Sequence, residues 1–281
     1  MTQLSELRHV GLVYNGRVAV AEQMGCEIAT WLDARGVTVW MCELAAIPQC
    51  AESCDLVIVL GGDGSILRAT RHTATTGTPL LGVNLGRVGF LTEAPPDAWR
   101  EVLQRAVDGA GWIETRAMLR VSLLRAGDVI AVDDALNDAV VSRGALARTV
   151  HLQISVDDAP LTRYVADGLI LATATGSTAY AYAAGGPILP PWLDNIVVIP
   201  IAPHLSLDRP LVLDARATVT VEVLTEKPGM LTVDGRMEGE LHSGDIVRAE
   251  LSPLHARFLR LRQRGDFYRT LVPRLSPRNH F

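Results

Sequence analysis

Apolar residues gather in short unbroken blocks along the first third of the chain, and a longer stretch with apolar positions at helical spacing follows most of them. His9 to Val13 predicts a first strand, Val18 to Ala34 a helix that Gly36 ends, and Val37 to Cys42 a second strand. Leu56 to Leu60 is apolar throughout, the mark of a strand buried on both faces. A helix from about Ile66 to Thr75 and a fourth strand over Pro79 to Asn84 come next. Strands alternating with helices predict a parallel, doubly wound sheet, Rossmann-like in plan, whose ligands bind at the carboxyl ends of the strands. Past Pro95-Pro96-Asp97 the texture changes. One helix, Trp99 to Val107, leads into short alternating segments: Arg120 to Leu124, Val150 to Val156, Ala217 to Leu224 and Ala256 to Leu261. These predict an all-β domain, a sandwich. Phe267 to Val272 returns to helical spacing. The expected organisation is an α/β domain over residues 1–97, a β-rich domain over 98–262, and a C-terminal segment, 263–281, packing back on the first domain.

The chemistry concentrates where the third strand ends. Gly61-Gly62-Asp63-Gly64-Ser65 lies between that strand and the next helix. Strand, glycine turn and helix N-terminus form a phosphate-binding arrangement, because glycine lets the main chain approach a ligand closely and the helix end offers free N–H groups. Gly61, Gly62, Gly64 and Ser65 are the candidate phosphate contacts. Asp63 would repel a phosphate, so it is expected to bind a metal ion or take a proton from a hydroxyl, which points to phosphoryl transfer. A tight turn whose Asp caps the helix is the structural alternative.

Composition narrows this further. Of the 26 lysines and arginines only Lys227 is a lysine, and GxxxxGK[ST] is missing. Walker A and kinase-type strand lysines are thereby excluded, a Schiff-base lysine would have to come from the turn-like segment at Lys227, and charge on a phosphate must be met by Mg²⁺, arginine and backbone amides. A net charge of −5 argues against a nucleic-acid partner. No run of 18 apolar residues and no basic-then-apolar leader is present, so a soluble, cytoplasmic chain without a membrane span is expected. Cys26, Cys42, Cys50 and Cys54 contain no CxxC pair and are expected to be reduced.

Two further segments carry candidate contacts. Asp167 and Gly168 open an apolar strand that empties into Thr173-Ala174-Thr175-Gly176-Ser177-Thr178-Ala179-Tyr180. Gly176 and the hydroxyls of Thr173, Thr175, Ser177 and Thr178 suit phosphate or ribose oxygens, Asp167 suits a ribose hydroxyl or an amide, and Tyr180 either stacks on a base or packs in the core. Asn137-Asp138 offers an amide able to read an adenine edge, with an Asx-turn as the alternative.

GGDGS at 61–65, NLGRVGFLTE at 84–93, LNDAVVSRG at 136–144, DGLILATATGSTAYAYAAGGP at 167–187 and PIAPHLSLDRPLVL at 200–213 resemble, in order and spacing, the motifs of the NAD kinases. The resemblance covers roughly residues 55–240. It implies phosphorylation of the adenosine ribose 2′-hydroxyl of NAD to give NADP, with ATP or polyphosphate as donor and Mg²⁺ or another divalent cation as cofactor. It also implies that Asp63 is the proton acceptor, that Gly64 and Arg68 line the nucleotide pocket, and that Asn137 and Asp138 grip adenosine. Arg148 falls on a basic position near substrate and Asp167 on the aspartate of the DG motif. Thr178, Ala179, Tyr180 and Ala183 belong to the loop that encloses the dinucleotide, often across an interface of a homodimer or homotetramer. Aspartate is a weak base toward a ribose hydroxyl, so in-line positioning and Mg²⁺ must carry most of the catalysis.

Several positions depart from the family pattern. Ala174 replaces a proline, Ala183 a frequent serine, and Arg236 a frequent glutamine. Val165 stands where many members carry arginine, so the expected enzyme discriminates only modestly between NAD and NADH unless Arg236 supplies the missing cation. GGDG also occurs in diacylglycerol and sphingosine kinases, which makes a lipid or sphingoid kinase the competing enzyme. A dinucleotide sensor with a dead site is the non-catalytic alternative, and it predicts loss of Asp63 or the glycines.

Overall fold

The computed structural model describes residues 6–47, 54–86, 89–144, 149–204, 207–225 and 228–275. The chain divides into two compact units, one of residues 1–115 and 256–281, the other of residues 116–255. Cys50 and Arg148 lie outside the described residues.

The first unit is built on four parallel strands: β1 (His9–Tyr14), β2 (Thr38–Glu43), β3 (Leu56–Leu60) and β4 (Leu80–Val83), in the order β2-β1-β3-β4. Helix α1 (Ala19–Asp33) connects β1 to β2, α2 (Asp63–Thr76) connects β3 to β4, and α3 (Trp99–Val107) follows. Leu56, Ile58 and Leu60 of β3 join a core with Ile28 and Leu32 of α1 and Trp99, Leu103 and Ala106 of α3. Val57 and Val59 are equally buried on the opposite face. On that side Ile66 of α2 closes on Gly82, which pairs with Val59 and could not carry a Cβ without displacing the Ile66 side chain. A strand covered on both faces is why LVIVL is apolar at every position.

Two boundaries differ from the sequence reading. Helix α3 belongs to the first unit, because Trp99, Leu103 and Ala106 recur at spacings of four and three and bury one stripe in its core. The returning segment starts at Ala256 rather than 263, since Phe258 pairs in parallel with Leu80 and extends the first unit's sheet.

The chain leaves the first unit within β5 (Trp112–Arg125) and returns within β16 (Ile246–Arg260). The second unit contains β6 (Asp128–Ala135), β7 (Asp138–Arg143), β8 (Val150–Val156), β9 (Ala159–Ala166), β10 (Gly168–Ala172), a short helix α4 (Tyr180–Ala183), β11 (Ile196–Ile201), β12 (Leu211–Leu213), β13 (Val219–Val223), β14 (Gly229–Val233) and β15 (Arg236–Leu241). One antiparallel sheet has the order β12-β11-β10-β7-β14-β15, and β16-β13-β8-β9 forms a second. Leu169 and Leu171 of β10, Leu231 and Val233 of β14, Leu152 and Ile154 of β8, and Val219 and Val221 of β13 share one core. This is a sandwich, as the alternating pattern predicts. Ile170 and Ala172 face the other way, where Ala181 of α4 covers them, so β10 is again apolar on both faces.

Helix α5 (Asp266–Leu275) ends the described chain and belongs to the first unit.

Candidate functional site

In the first unit the strand order reverses between β1 and β3, and the carboxyl ends of these two strands flank the crevice where open α/β sheets bind ligands. Gly61 and Gly62 occupy that point. The backbone is helical from Asp63, three residues earlier than the sequence predicts, with Gly62 as an extended N-cap. The low helix propensity of Gly64 and Ser65 hides this start. Asp63 is therefore a first-turn residue, and its side chain does not cap its own helix.

The carboxylate of Asp63 instead accepts the backbone N–H groups of Phe90, at 2.7 Å, and Leu91, at 3.1 Å. Gly89 lies against it so closely that any Cβ there would collide with the carboxylate. Gly89, Phe90 and Leu91 thus hold the acid, and in the described residues before them Asn84 is bonded through its side chain to Gly86. After them Glu93 accepts from the backbone N–H groups of Leu261 and Arg262 and from the guanidinium groups of Arg260 and Arg262. Arg260 also donates to Glu114 and to the Leu91 carbonyl. Burial alone would raise the Glu93 pKa. The Arg260 and Arg262 charges and the two N–H bonds outweigh it and hold Glu93 below the usual glutamate range.

Other members of the turn divide by exposure. Ser65 is buried and its hydroxyl accepts from the Asn15 amide at 3.2 Å, so it fastens the end of β1 to α2. Gly64 and Arg68 are exposed, and Arg68 forms no ion pair among the described residues.

In the second unit Asn137 and Asp138 stand at the start of β7, beside the loop that follows β10. The backbone N–H groups of Leu136, Asn137 and Asp138 all donate to the carboxylate of Asp234, a residue the sequence reading did not single out as a site residue. Thr173 donates its N–H to the Asn137 carbonyl and its hydroxyl to the Leu136 carbonyl. Gly176 packs on the Asn137 carbonyl with no room for a Cβ. Thr173 and Gly176 are thus fully engaged in shaping the loop. The Ser177 hydroxyl is buried and bonded to Ala174 and Leu189, so it braces the loop. Thr175 differs. Its hydroxyl is buried with no hydrogen-bond partner.

The side chains of Asn137 and Asp138 make no hydrogen bond among the described residues. Burial first, and then the Asp234 charge, push Asp138 up to about 7. The folded chain consequently binds this proton more tightly than the unfolded chain does. The associated stability is present at acid pH and is lost as pH rises from the unfolded value through about 7. Asp138→Asn should therefore melt higher than wild type at pH 8, by at most about 4 kcal/mol of stability, with the gap closing toward pH 4. Thermal melts of both chains across that range check it.

Asp167 lies at the far end of β10, where it pairs with Arg143 at 3.4 Å. Five residues of strand, roughly 17 Å, separate it from the Asn137 and Asp138 end. Thr178 and Ala179 are half-buried, and Tyr180 and Ala183 are exposed. Tyr180, at 47% exposure, is not a core residue. Val165 is half-buried on β9. Arg236 does not stand free to replace a missing cation: Glu238 holds it at 2.8 Å and Asp133 at 3.2 Å.

An acid fixed by main-chain donors at the switch point of a Rossmann-like unit, and a sandwich unit with unengaged amide, carboxyl and hydroxyl groups around one strand-end loop, define a nucleotide phosphotransferase. The comparisons give the family. Residues 41–110 match the ATP-NAD kinase N-terminal domain and residues 136–261 the ATP-NAD kinase C-terminal domain. The NAD kinase of Chloroflexus aurantiacus is 41% identical over 272 residues, covering 96% of this chain and 99% of the relative. That of Desulforamulus reducens is 39% identical over 280 residues, covering 95% and 96%. Among solved structures, yeast NADH kinase complexed with NADH superposes with a TM-score of 0.87 at 27% identity, covering 99% of this chain and 90% of the other. An NAD kinase from Archaeoglobus fulgidus in complex with ATP gives 0.74 at 27% identity, covering 95% and 98%. The chain belongs to the NAD kinase family. The lipid or sphingoid kinase alternative receives no support from these matches.

Proposed function

We infer that in the NAD kinase reaction of this chain, ATP and NAD giving ADP and NADP, Asp63 accepts the proton of the adenosine ribose 2′-hydroxyl. The observation that carries this reading is the pair of backbone N–H bonds from Phe90 and Leu91, which fix the carboxylate at the switch point and leave each oxygen able to accept again. The 2′-oxygen forms a bond to the γ-phosphorus, the bond from that phosphorus to the β-phosphate oxygen breaks, and its electron pair leaves on ADP. Asn137 and Asp138 receive the adenosine half, with Thr175 as a further donor. The separation of Asp167 from this end of β10 suits a contact to a different part of the dinucleotide. Exposed Gly64, Arg68, Tyr180 and Ala183, with half-buried Thr178 and Ala179, complete the proposed contacts.

A divalent cation suits this donor set. Among the described residues no cluster of three histidine, cysteine or carboxylate groups forms a protein cage. Mg²⁺ characteristically binds through one or two carboxylates, water and the substrate's phosphates, and each Asp63 oxygen retains acceptor capacity for it. When bound, the cation neutralises charge on the donor's phosphates.

The cytoplasm is the proposed location, in keeping with Cys26, Cys42 and Cys54, which form no disulfide among the described residues. Among the described residues no helix is long and apolar enough to cross a membrane. A homodimer or homotetramer is supported by β6, which among the described residues pairs with β5 alone and leaves Val129, Ile130 and Val132 exposed. Incubation with NAD, ATP and Mg²⁺, scored for NADP with polyphosphate as a parallel donor, tests the activity directly.

NADH is the proposed second acceptor. With valine at 165 and Arg236 held by two carboxylates, no cation is left to sense the nicotinamide charge through these positions. The kcat/KM for NADH is expected within about tenfold of that for NAD, a gap of about 1.4 kcal/mol. Arg236→Gln should leave the ratio unchanged. A preference above about a hundredfold that Arg236→Gln abolishes would reverse this reading.

A further inference from the structure

Helix α5 buries none of its side chains fully, yet it brings one cation to the acid. Phe267 packs on Phe90 with ring centroids 6.4 Å apart, and the Arg274 guanidinium carbon lies 5.4 Å from the centre of the same Phe90 ring. Phe90 is the residue whose N–H binds Asp63. Arg274 makes no hydrogen bond or ion pair among the described residues. Arg260 is 4% exposed, and its Nη2 is buried without a partner although Nε and Nη1 are both bonded.

The groups that act on Arg274 are Arg262 and Arg260, which repel it, and Asp63 and Glu93, which attract it. Burial and the two arginines lower it to about 10, still protonated at neutral pH. A half-buried cation beside two others, with no bonded counter-charge, costs stability unless an anion arrives. In a chain with one lysine, such arginines are the available counter-charges for phosphate.

We propose that Arg274 and the free Nη2 of Arg260 form a cationic subsite for the terminal phosphates of the phosphoryl donor, so that the C-terminal helix supplies charge to the transfer. The proposal rests on Asp63 as the base. A base bonded to the reacting hydroxyl sits beside the phosphorus that this hydroxyl attacks, and a cation stacked on the ring next to that base faces the group in flight. The acceptor's own pyrophosphate is attached on the 5′ side of the ribose, several bonds away. As the bond to the β-phosphate breaks, negative charge grows on the donor oxygens, and guanidinium donors held there stabilise that state more than the ground state.

Arg274→Met retains an apolar stem against Phe90 and removes the charge, and Arg274→Lys restores a charge without the fork. Arg274→Met is expected to lower kcat/KM for ATP by about a hundredfold, with Kd for NAD within about twofold of wild type and unchanged far-ultraviolet circular dichroism. Arg274→Lys should recover part of the loss. Inorganic tripolyphosphate, added without NAD, should raise the melting temperature of wild type and of Asp63→Asn, but not of Arg274→Met. Wild-type kinetics for ATP in a folded Arg274→Met, a large loss of NAD affinity in direct binding, or undiminished stabilisation by tripolyphosphate would each overturn the proposal. Full turnover in Asp63→Asn would instead remove the base, an outcome that the tripolyphosphate arm distinguishes from loss of the subsite.

Discussion

Asp63→Asn is expected to lower kcat by about a hundredfold or more, the usual scale for a lost general base, with KM for ATP little changed. The substitution is nearly isosteric but not neutral for the fold. The carboxylate accepts one backbone N–H on each oxygen, from Phe90 and Leu91, and an amide can accept only one of them while turning its own N–H₂ toward the other. A stability loss of about 1–3 kcal/mol should therefore accompany the kinetic loss. Steady-state assays of NADP formation and a urea melt on the same preparation separate the two effects. A folded variant with near-normal turnover would take Asp63 out of the mechanism. Asp63→Ala is less informative, because it frees both N–H groups and the 89–91 segment with them.

Glu93→Gln should produce the largest loss of stability, about 3–5 kcal/mol, because it leaves buried Arg260 and half-buried Arg262 against a neutral group. The Glu93 side chain is 1% exposed, so solvent screens little of that cost. Activity should fall as well, even where the variant is folded. Arg260 bonds the Leu91 carbonyl and Arg262 the Thr92 carbonyl, so the segment that presents two N–H groups to Asp63 is fastened through the same arginines. The wild-type Glu93 pKa is depressed, which means that its contribution is present above the usual glutamate range and is lost as pH falls through its lower folded value. Urea melts of both chains at pH 7 and in mild acid should show the difference between them shrinking on acidification. A constant difference would place the stabilisation outside the Glu93 charge.

Much of this molecule follows from short-range pattern. β3 matches its predicted bounds because five consecutive apolar residues leave room for no other reading, and α3 matches because Trp99, Leu103 and Ala106 mark one helical face. The GGDGS turn, the Asn137-Asp138 pair and the loop after β10 were legible as strand-end turns because glycine, hydroxyl and carboxyl residues interrupt apolar strands, but which of their side chains shape the turn, as Ser65, Thr173 and Ser177 do, was not. The start of α2 was not legible, since Gly64 and Ser65 are poor helix formers and only Gly62 as N-cap fixes the first turn at Asp63.

Local pattern was enough for the two kinds of secondary structure, the place of the acid and the lack of a Walker A lysine, all of which are properties of neighbouring residues. Tertiary structure alone decided what holds the acid and what surrounds it. Glu93 bonds Arg260 across 167 positions and Asp234 gathers the 136–138 amides from nearly 100 positions away. Helix α5 returns from the end of the chain to set Arg274 on Phe90. None of these contacts leaves a periodic trace. A buried ion pair or a guanidinium stacked on a ring depends on which distant segments meet, and hydrophobic spacing records only that a segment is buried, not what lies opposite it.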